Sequence, residues 1–241
     1  MSQIRTSYIL NGTNVPALAT AGEMGDSVVI MLHGSEVSKE VNQTDMDRLE
    51  AAGFWSVCID APHHGERSDG YMELAAKATP KDYYLMMLAV VHQEAAEVAE
   101  LVKHFKSLGK KVAVVGISMG GYAAFATMML THEPDLFATF MGNPDFGYEA
   151  NSTYSLPELA CPAKNIDFIF PTSILMVIAG KDTYVNPNGA RNFYKALKPY
   201  YESAPERLEL FEFPESDHFM REQDWFAGWE ALVNRLRREG F

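Results

Sequence analysis

The sequence predicts an α/β protein built on a mostly parallel, twisted sheet with helices on both faces. Short apolar, β-branched segments alternate along the chain with longer segments of helical periodicity, which is the pattern of strand–helix–strand crossover units. The chain has 241 residues, enough for one large domain of this class, and no repeat or linker-like segment divides it. We therefore expect a single domain over residues 1–241.

The predicted elements follow one another in a regular order. The stretch NGTN predicts a hairpin turn between two short strands within residues 6–20. Apolar segments predict buried strands at 27–34, 54–62, 111–116, 136–142 and 173–180, and the alternating RLELFEF predicts a sixth strand near a sheet edge at 207–213. Apolar residues spaced by three and four predict helices at 39–52, 81–108, 119–130, 188–201 and 222–238. The proline-punctuated segment 143–171 predicts a small cap over the strand ends.

Charge and cysteine content exclude several classes of protein. The formal net charge is −12, and an acidic surface repels nucleic-acid backbones and anionic membranes, so neither partner is expected. Cys58 and Cys161 are too few for a disulfide framework and lie in no metal-ligand spacing. The N-terminal residues lack the pattern of a signal peptide, and no apolar run is long enough to span a membrane. A cytoplasmic protein is the expectation.

The stretch GISMG, residues 116–120, carries the strongest functional signal. It fits the pattern G-x-S-x-G and stands between a predicted strand and a predicted helix. In such a sharp turn the serine hydroxyl is exposed at the top of the sheet, and the residues two positions to either side approach each other too closely for a Cβ atom. Ser118 is therefore a candidate nucleophile.

A serine nucleophile needs a base, and the base needs an orienting acid. Asp182 follows the fifth buried strand and His218 follows the sixth, which gives the chain order serine, acid, histidine expected of this fold class. The other histidines precede Ser118 or fall on predicted helices. Asp217 is a rival acid, but side chains of adjacent residues diverge, which favours Asp182.

The developing oxyanion requires two hydrogen-bond donors. One is expected from the backbone N–H of Met119, the residue after the nucleophile. The loop after the first buried strand, HGSEVSKE, offers the backbone N–H of Ser35 as the second donor. His33 is interpreted as a structural residue of this loop.

These motifs resemble the α/β-hydrolase superfamily over nearly the whole chain. LHGSEVSKE, DAPHHGERS and GISMGG in particular resemble small bacterial carboxylesterases of the dienelactone hydrolase and prolyl-oligopeptidase-like group. The resemblance implies an α/β-hydrolase fold, with Ser118, His218 and Asp182 as the catalytic triad and Ser35 and Met119 as oxyanion donors. The chain departs from that group at Ser35-Glu36, where Phe-Thr or a similar pair is common.

The function expected from these residues is hydrolysis of small to medium carboxylic esters through an acyl-enzyme, without a cofactor or a metal. The adjacent His63 and His64 are interpreted as part of a solvated loop beside the active site rather than as metal ligands. Three alternatives remain open from the sequence. They are a thioesterase or acyltransferase with the same residues, a peptidase, and an inactive hydrolase fold that serves as a binding module.

Overall fold

A computed structural model describes residues 3–147 and 161–241. Within these residues, eight strands form one sheet in the order β1-β2-β4-β3-β5-β6-β7-β8. The strands are β1 Gln3–Leu10, β2 Thr13–Thr20, β3 Ser27–Leu32, β4 Ser56–Ile59, β5 Lys111–Ile117, β6 Leu136–Phe140, β7 Ile174–Ala179 and β8 Leu208–Phe213. The α-helices are α1 Gln43–Ala51, α2 Tyr71–Ala75, α3 Pro80–Ser107, α4 Met119–Met128, α5 Asn188–Leu197 and α6 Glu222–Glu239.

Helices cover both faces of the sheet. Helices α3, α4 and α5 pack on one face, and α1 and α6 pack on the other. Strand β5 shows why its sequence is continuously apolar: Val112 and Val114 face the first layer, whereas Ala113 and Val115 face the second. A strand buried on both faces needs apolar side chains at every position. The predicted fold class is confirmed.

The sheet is parallel from β4 to β8, with an antiparallel hairpin at the opposite edge. Strands β1 and β2 pair in an antiparallel register around Asn11 and Gly12, which both have positive φ. Strand β8 is the other edge, as its alternating sequence predicts. No helix in the part of the chain described here is long and apolar enough to cross a bilayer.

Several element bounds differ from the sequence prediction. Strand β3 ends at Leu32, where its pairing with β5 ends, so His33 and Gly34 belong to the following loop. The predicted helix at 188–201 divides into α5 and a 3₁₀ turn at Lys198–Tyr201, because Pro199 has no N–H to continue the helical ladder. Helix α2, only five residues long, was not predicted.

Helix α3 buries a carboxyl group that has no hydrogen-bond partner in the described part of the chain. The Glu94 side chain is fully buried, and neither of its oxygens is hydrogen-bonded. Arg67 donates instead to both oxygens of Glu97, at 2.7 Å each. Burial, reinforced by the Glu97 carboxylate, raises the pKa of Glu94 to about 8. Glu94 is therefore protonated at neutral pH.

The buried Glu94 carboxyl group makes the free energy of unfolding fall as pH rises. The unfolded chain ionises Glu94 near pH 4.5, whereas the folded chain keeps the proton until about pH 8, so the unfolded state binds fewer protons in between. Glu94→Gln should remove this loss, so its free energy of unfolding relative to the original chain should be higher at pH 9 than at pH 5 by on the order of 4 kcal/mol, from a pKa raised from 4.5 to about 8. Urea titrations at pH 5 and pH 9 measure the difference.

Glu97→Gln, which breaks the pair with Arg67, should destabilise the protein at both pH values. An unchanged pH slope in Glu94→Gln would contradict the assignment.

Candidate active site

Ser118 occupies a sharp turn between β5 and α4. Its backbone has φ 56° and ψ −115°, a conformation that side-chain-bearing residues rarely adopt. The Ser118 N–H donates to the carbonyl oxygen of Phe140 on β6, at 2.8 Å. The turn is thus held against the neighbouring strand, at the carboxyl edge of the sheet.

The glycines around Ser118 are required by close backbone contacts. A Cβ atom on Gly116 would lie 2.0 Å from the carbonyl oxygen of Gly120, and a Cβ atom on Gly120 would lie 2.4 Å from the carbonyl oxygen of Leu32. Both distances are far shorter than a van der Waals contact. The G-x-S-x-G pattern therefore reflects the packing of β5, α4 and β3 around the serine.

Ser118, His218 and Asp182 form one chain of hydrogen bonds. Ser118 Oγ lies 3.0 Å from His218 Nε2, and His218 Nδ1 lies 2.7 Å from Asp182 Oδ2. Because a carboxylate only accepts, Nδ1 carries the proton and Nε2 presents its lone pair to the serine hydroxyl. The three residues that the sequence singled out as a triad are brought together by the fold.

The Asp182 carboxylate is fixed on both of its oxygens. Oδ2 faces His218, and Oδ1 accepts the backbone N–H groups of Tyr184 and Val185, at 2.8 Å each. Asp217, the rival acid, instead accepts the N–H of Phe219 through its own Oδ1 at 3.0 Å. The structure therefore pairs His218 with Asp182.

The loop after β3 passes directly beside the nucleophile. A Cβ atom built on Gly34 would lie 3.6 Å from Ser118 Cβ, and Ser35 is the next residue. The Ser35 hydroxyl is used elsewhere, since Oγ lies 3.3 Å from the hydroxyl of Tyr83. Met119 is the first residue of α4, and the N–H of a first helical residue has no partner within its helix.

His33 holds this loop in place. Its Nε2 accepts the N–H of Ala61 at 3.0 Å, and its Nδ1–H donates to the carbonyl oxygen of Gly34 at 2.7 Å. Burial lowers the pKa of His33 to about 4, so the ring is neutral. These contacts connect the loop after β3 to the loop after β4.

A buried ion pair that the sequence analysis did not identify connects the same two loops. Lys39 and Asp60 are both fully buried, and Lys39 Nζ lies 2.7 Å from Asp60 Oδ2. Asp60 also accepts the backbone N–H of Lys39 and of Glu66, at 3.0 Å each. Loss of Lys39 would leave the buried Asp60 carboxylate without its cationic partner, which is strongly destabilising. The only sequence signal was an aspartate at the end of a buried strand.

His63 and His64 have separate partners. His63 Nδ1 pairs with Asp69 at 2.8 Å, and its ring stacks on Tyr71 with 4.2 Å between the ring centroids. His64 is buried and donates from Nδ1 to the carbonyl oxygen of Pro62 at 2.7 Å. In residues 3–147 and 161–241, no three His, Cys, Asp or Glu side chains are grouped to hold a metal ion.

A cavity of about 530 Å³ lies near this loop region. Its walls are formed by residues 36–38, by residues of the segment 63–68, and by helix α2 with the residue after it. The wall loops follow β3 and β4, which lie across β5 from β7 and β8. Sheet order therefore separates this cavity from the side on which Asp182 and His218 leave the sheet.

The segment 143–171 is described only at its two ends, since 148–160 lie outside the described residues. Phe146 is buried and stacks on Tyr122 of α4, with 5.8 Å between the ring centroids. The Phe146 N–H donates to Cys161 Sγ at 3.5 Å. These contacts connect the two described ends to each other and to the helix that begins after Ser118.

Comparisons with known proteins agree with this architecture. The curated "Putative esterase YitV" of Bacillus subtilis (strain 168) is 24% identical over 216 residues, covering 79% of this chain and 82% of that protein. The structure of TT1662 from Thermus thermophilus is similar with a TM-score of 0.73 and 21% identity, covering 98% of this chain and 99% of that one. The "Putative Dienelactone Hydrolase" of Klebsiella pneumoniae gives 0.72 and 16%, covering 98% of each chain.

These two solved structures support the fold alone, because their identity to this chain is low. The sequence profile described as "Alpha/beta hydrolase family" matches residues 29–240, which include the turn at Ser118 and both of its partners. The resemblance predicted from the sequence is confirmed, and the chain belongs to the alpha/beta hydrolase family.

Proposed function

We propose that the protein is a serine esterase that hydrolyses small to medium carboxylic esters through an acyl-enzyme. The observation that carries the proposal is the continuous hydrogen-bond chain from Asp182 through His218 to Ser118. The name of the Bacillus subtilis relative describes an esterase, which supports the same chemistry. The proposed reaction uses groups of the protein, the ester and one water molecule.

In the proposed acylation step, Ser118 Oγ attacks the ester carbonyl carbon while His218 Nε2 takes the hydroxyl proton. A bond from Oγ to carbon forms, and the carbonyl oxygen becomes an oxyanion. The bond from carbon to the alcohol oxygen then breaks, and Nε2 returns the proton to that oxygen. The alcohol leaves, and the acyl group remains on Ser118. The Asp182 carboxylate stabilises the transient imidazolium.

Deacylation repeats these steps with water. His218 Nε2 takes a proton from a water molecule, whose oxygen attacks the acyl carbon. The bond from carbon to Oγ breaks, and the proton returns to Ser118. The products are the free carboxylic acid and the original enzyme.

In this proposal the backbone N–H groups of Ser35 and Met119 stabilise the oxyanion. Ser118 lies beside the loop that carries Ser35 and directly before Met119, which supports both donors. Backbone donors are fixed before the reaction and need no reorganisation, so they act mainly on the transition state. The segment 143–171 is proposed to border the substrate site, since its described ends pack near the start of α4.

Two variants at Ser35 separate its backbone from its side chain. Ser35→Pro deletes the N–H donor and should lower kcat by roughly 10²–10³-fold. Ser35→Ala keeps the donor and removes only the hydroxyl contact with Tyr83, so kcat should stay close to that of the original chain. Because proline also restricts the loop, thermal unfolding is measured on the same samples. An equally large loss in Ser35→Ala would show that the hydroxyl carries the role.

Hydrolysis of p-nitrophenyl esters of increasing acyl length tests the proposed function. The protein should release p-nitrophenol from short and medium esters, and the Ser118→Ala variant should not. Activity that does not depend on Ser118 would contradict the proposal.

A further inference from the structure

Two aromatic side chains beside His218 are almost entirely exposed. Phe219 is 79% exposed and Tyr184 is 74% exposed, the highest values for large hydrophobic side chains in the described part of the chain. Both contact the His218 ring, with centroid distances of 5.7 Å for Phe219 and 5.3 Å for Tyr184. The two rings also contact each other, edge to face, at 5.9 Å. The most exposed large apolar groups are therefore concentrated at the proposed base.

The backbone of each ring-bearing residue is held by a nearby carboxylate. Asp182 Oδ1 accepts the N–H of Tyr184, and Asp217 Oδ1 accepts the N–H of Phe219. Each ring is thus attached at a fixed point next to the triad, although the ring itself faces solvent. Exposed apolar surface of this kind is characteristic of ligand-binding and interaction sites.

The chemistry of acylation identifies what these rings would contact. His218 Nε2 must protonate the alcohol oxygen as it leaves, so that oxygen lies within about 3 Å of Nε2 in the reacting complex. The carbon skeleton bonded to that oxygen is therefore held close to the side chains that contact the His218 ring, and Tyr184 and Phe219 are two of these.

We propose that Tyr184 and Phe219 form the binding surface for the alcohol half of the substrate, and that the protein favours esters of alcohols bearing an aromatic ring. This inference rests on the proposed esterase function. The planes of the Tyr184 and Phe219 rings lie at 75° to each other. A third ring can therefore stack on one of them and contact the other edge to face, the two arrangements that aromatic pairs prefer.

Benzyl acetate and methyl acetate test this preference. They share the acyl group, and their alcohols are of similar acidity, so the esters differ mainly by the ring on the leaving group. The measured quantity is the ratio of kcat/KM for benzyl acetate to that for methyl acetate, because kcat/KM reports acylation, the stage of the reaction in which the alcohol leaves. Tyr184→Ala and Phe219→Ala should each lower this ratio by about 3- to 10-fold.

Conservative and distant variants make the test specific. Tyr184→Phe and Phe219→Tyr keep the rings and should keep the ratio. Phe226→Ala removes a half-exposed ring on α6 that packs under the Arg48 guanidinium of α1, and should also leave the ratio unchanged. These controls separate loss of a local contact from a general effect of removing an exposed aromatic ring.

The outcomes distinguish this inference from the proposed function. An unchanged ratio in both alanine variants, with hydrolysis still dependent on Ser118, would overturn only the role of the two rings. Equal loss in Phe226→Ala would also overturn it. Hydrolysis of both acetates by Ser118→Ala at the original rate would overturn the proposed function and this inference together.

Discussion

Replacing Ser118 with alanine is expected to lower kcat for ester hydrolysis by roughly 10⁴–10⁶-fold. The variant lacks Ser118 Oγ, the proposed attacking atom, which lies 3.0 Å from His218 Nε2, so no acyl-enzyme should form. Any residual rate would come from substrate binding and the oxyanion donors acting on water. The measurement is the rate of p-nitrophenyl ester hydrolysis, with burst and steady-state phases recorded separately.

The control is Ser7→Ala, which removes the same hydroxyl group at an exposed position on the edge strand β1. It should hydrolyse the esters at the original rate. Both variants should keep the circular dichroism spectrum and the unfolding midpoint of the original chain. If Ser118→Ala retained more than about a tenth of the activity while folded, where a nucleophile is expected to contribute orders of magnitude, Ser118 would not be the nucleophile.

Replacing Asp182 with asparagine is expected to lower kcat by roughly 10⁴-fold. Oδ1 of Asp182 accepts two backbone N–H groups, so the amide oxygen of asparagine would keep that position and its NH₂ group would face His218 Nδ1. That group donates a hydrogen bond, which selects the tautomer with the proton on Nε2. Nε2 then has no lone pair to accept the serine proton.

The matched control is Asp217→Asn. Its side-chain oxygen still accepts the Phe219 N–H, so this variant should retain most of the activity. Steady-state kinetics of both variants on the same p-nitrophenyl ester measure the difference. Wild-type activity in Asp182→Asn together with a large loss in Asp217→Asn would show that the orienting acid had been wrongly assigned.

The strands and long helices could be predicted from the sequence because a single physical requirement, such as burial on both faces, determines the residue types in each element. Strand β5 is buried on both faces, so every position from Val112 to Val115 is apolar, and the glycines at 116 and 120 permit backbone contacts that no other residue allows. The triad residues could be assigned from their positions, because active-site residues in such sheets lie where the parallel strands end.

Features that depend on tertiary contacts were not predictable. Lys39 is an ordinary charged residue in the sequence, and only the fold places its ammonium group 2.7 Å from Asp60 in the protein interior. Helix α2 is a single short element whose five residues show no clear periodicity. The contact of Tyr184 and Phe219 with His218 joins the segments after β7 and β8, and sequence spacing gives no indication of it.

Covalent labelling tests the central claim, that Ser118 is activated by His218, most directly. A fluorophosphonate reacts with an activated serine by losing fluoride and forming a bond from serine oxygen to phosphorus, so it marks the nucleophile without depending on the identity of the substrate. Peptide mass spectrometry of the labelled protein should find one adduct per chain, on Ser118, and labelling should be lost in Ser118→Ala and greatly slowed in His218→Ala. An adduct on a different residue, retained at full yield in Ser118→Ala, would contradict the account.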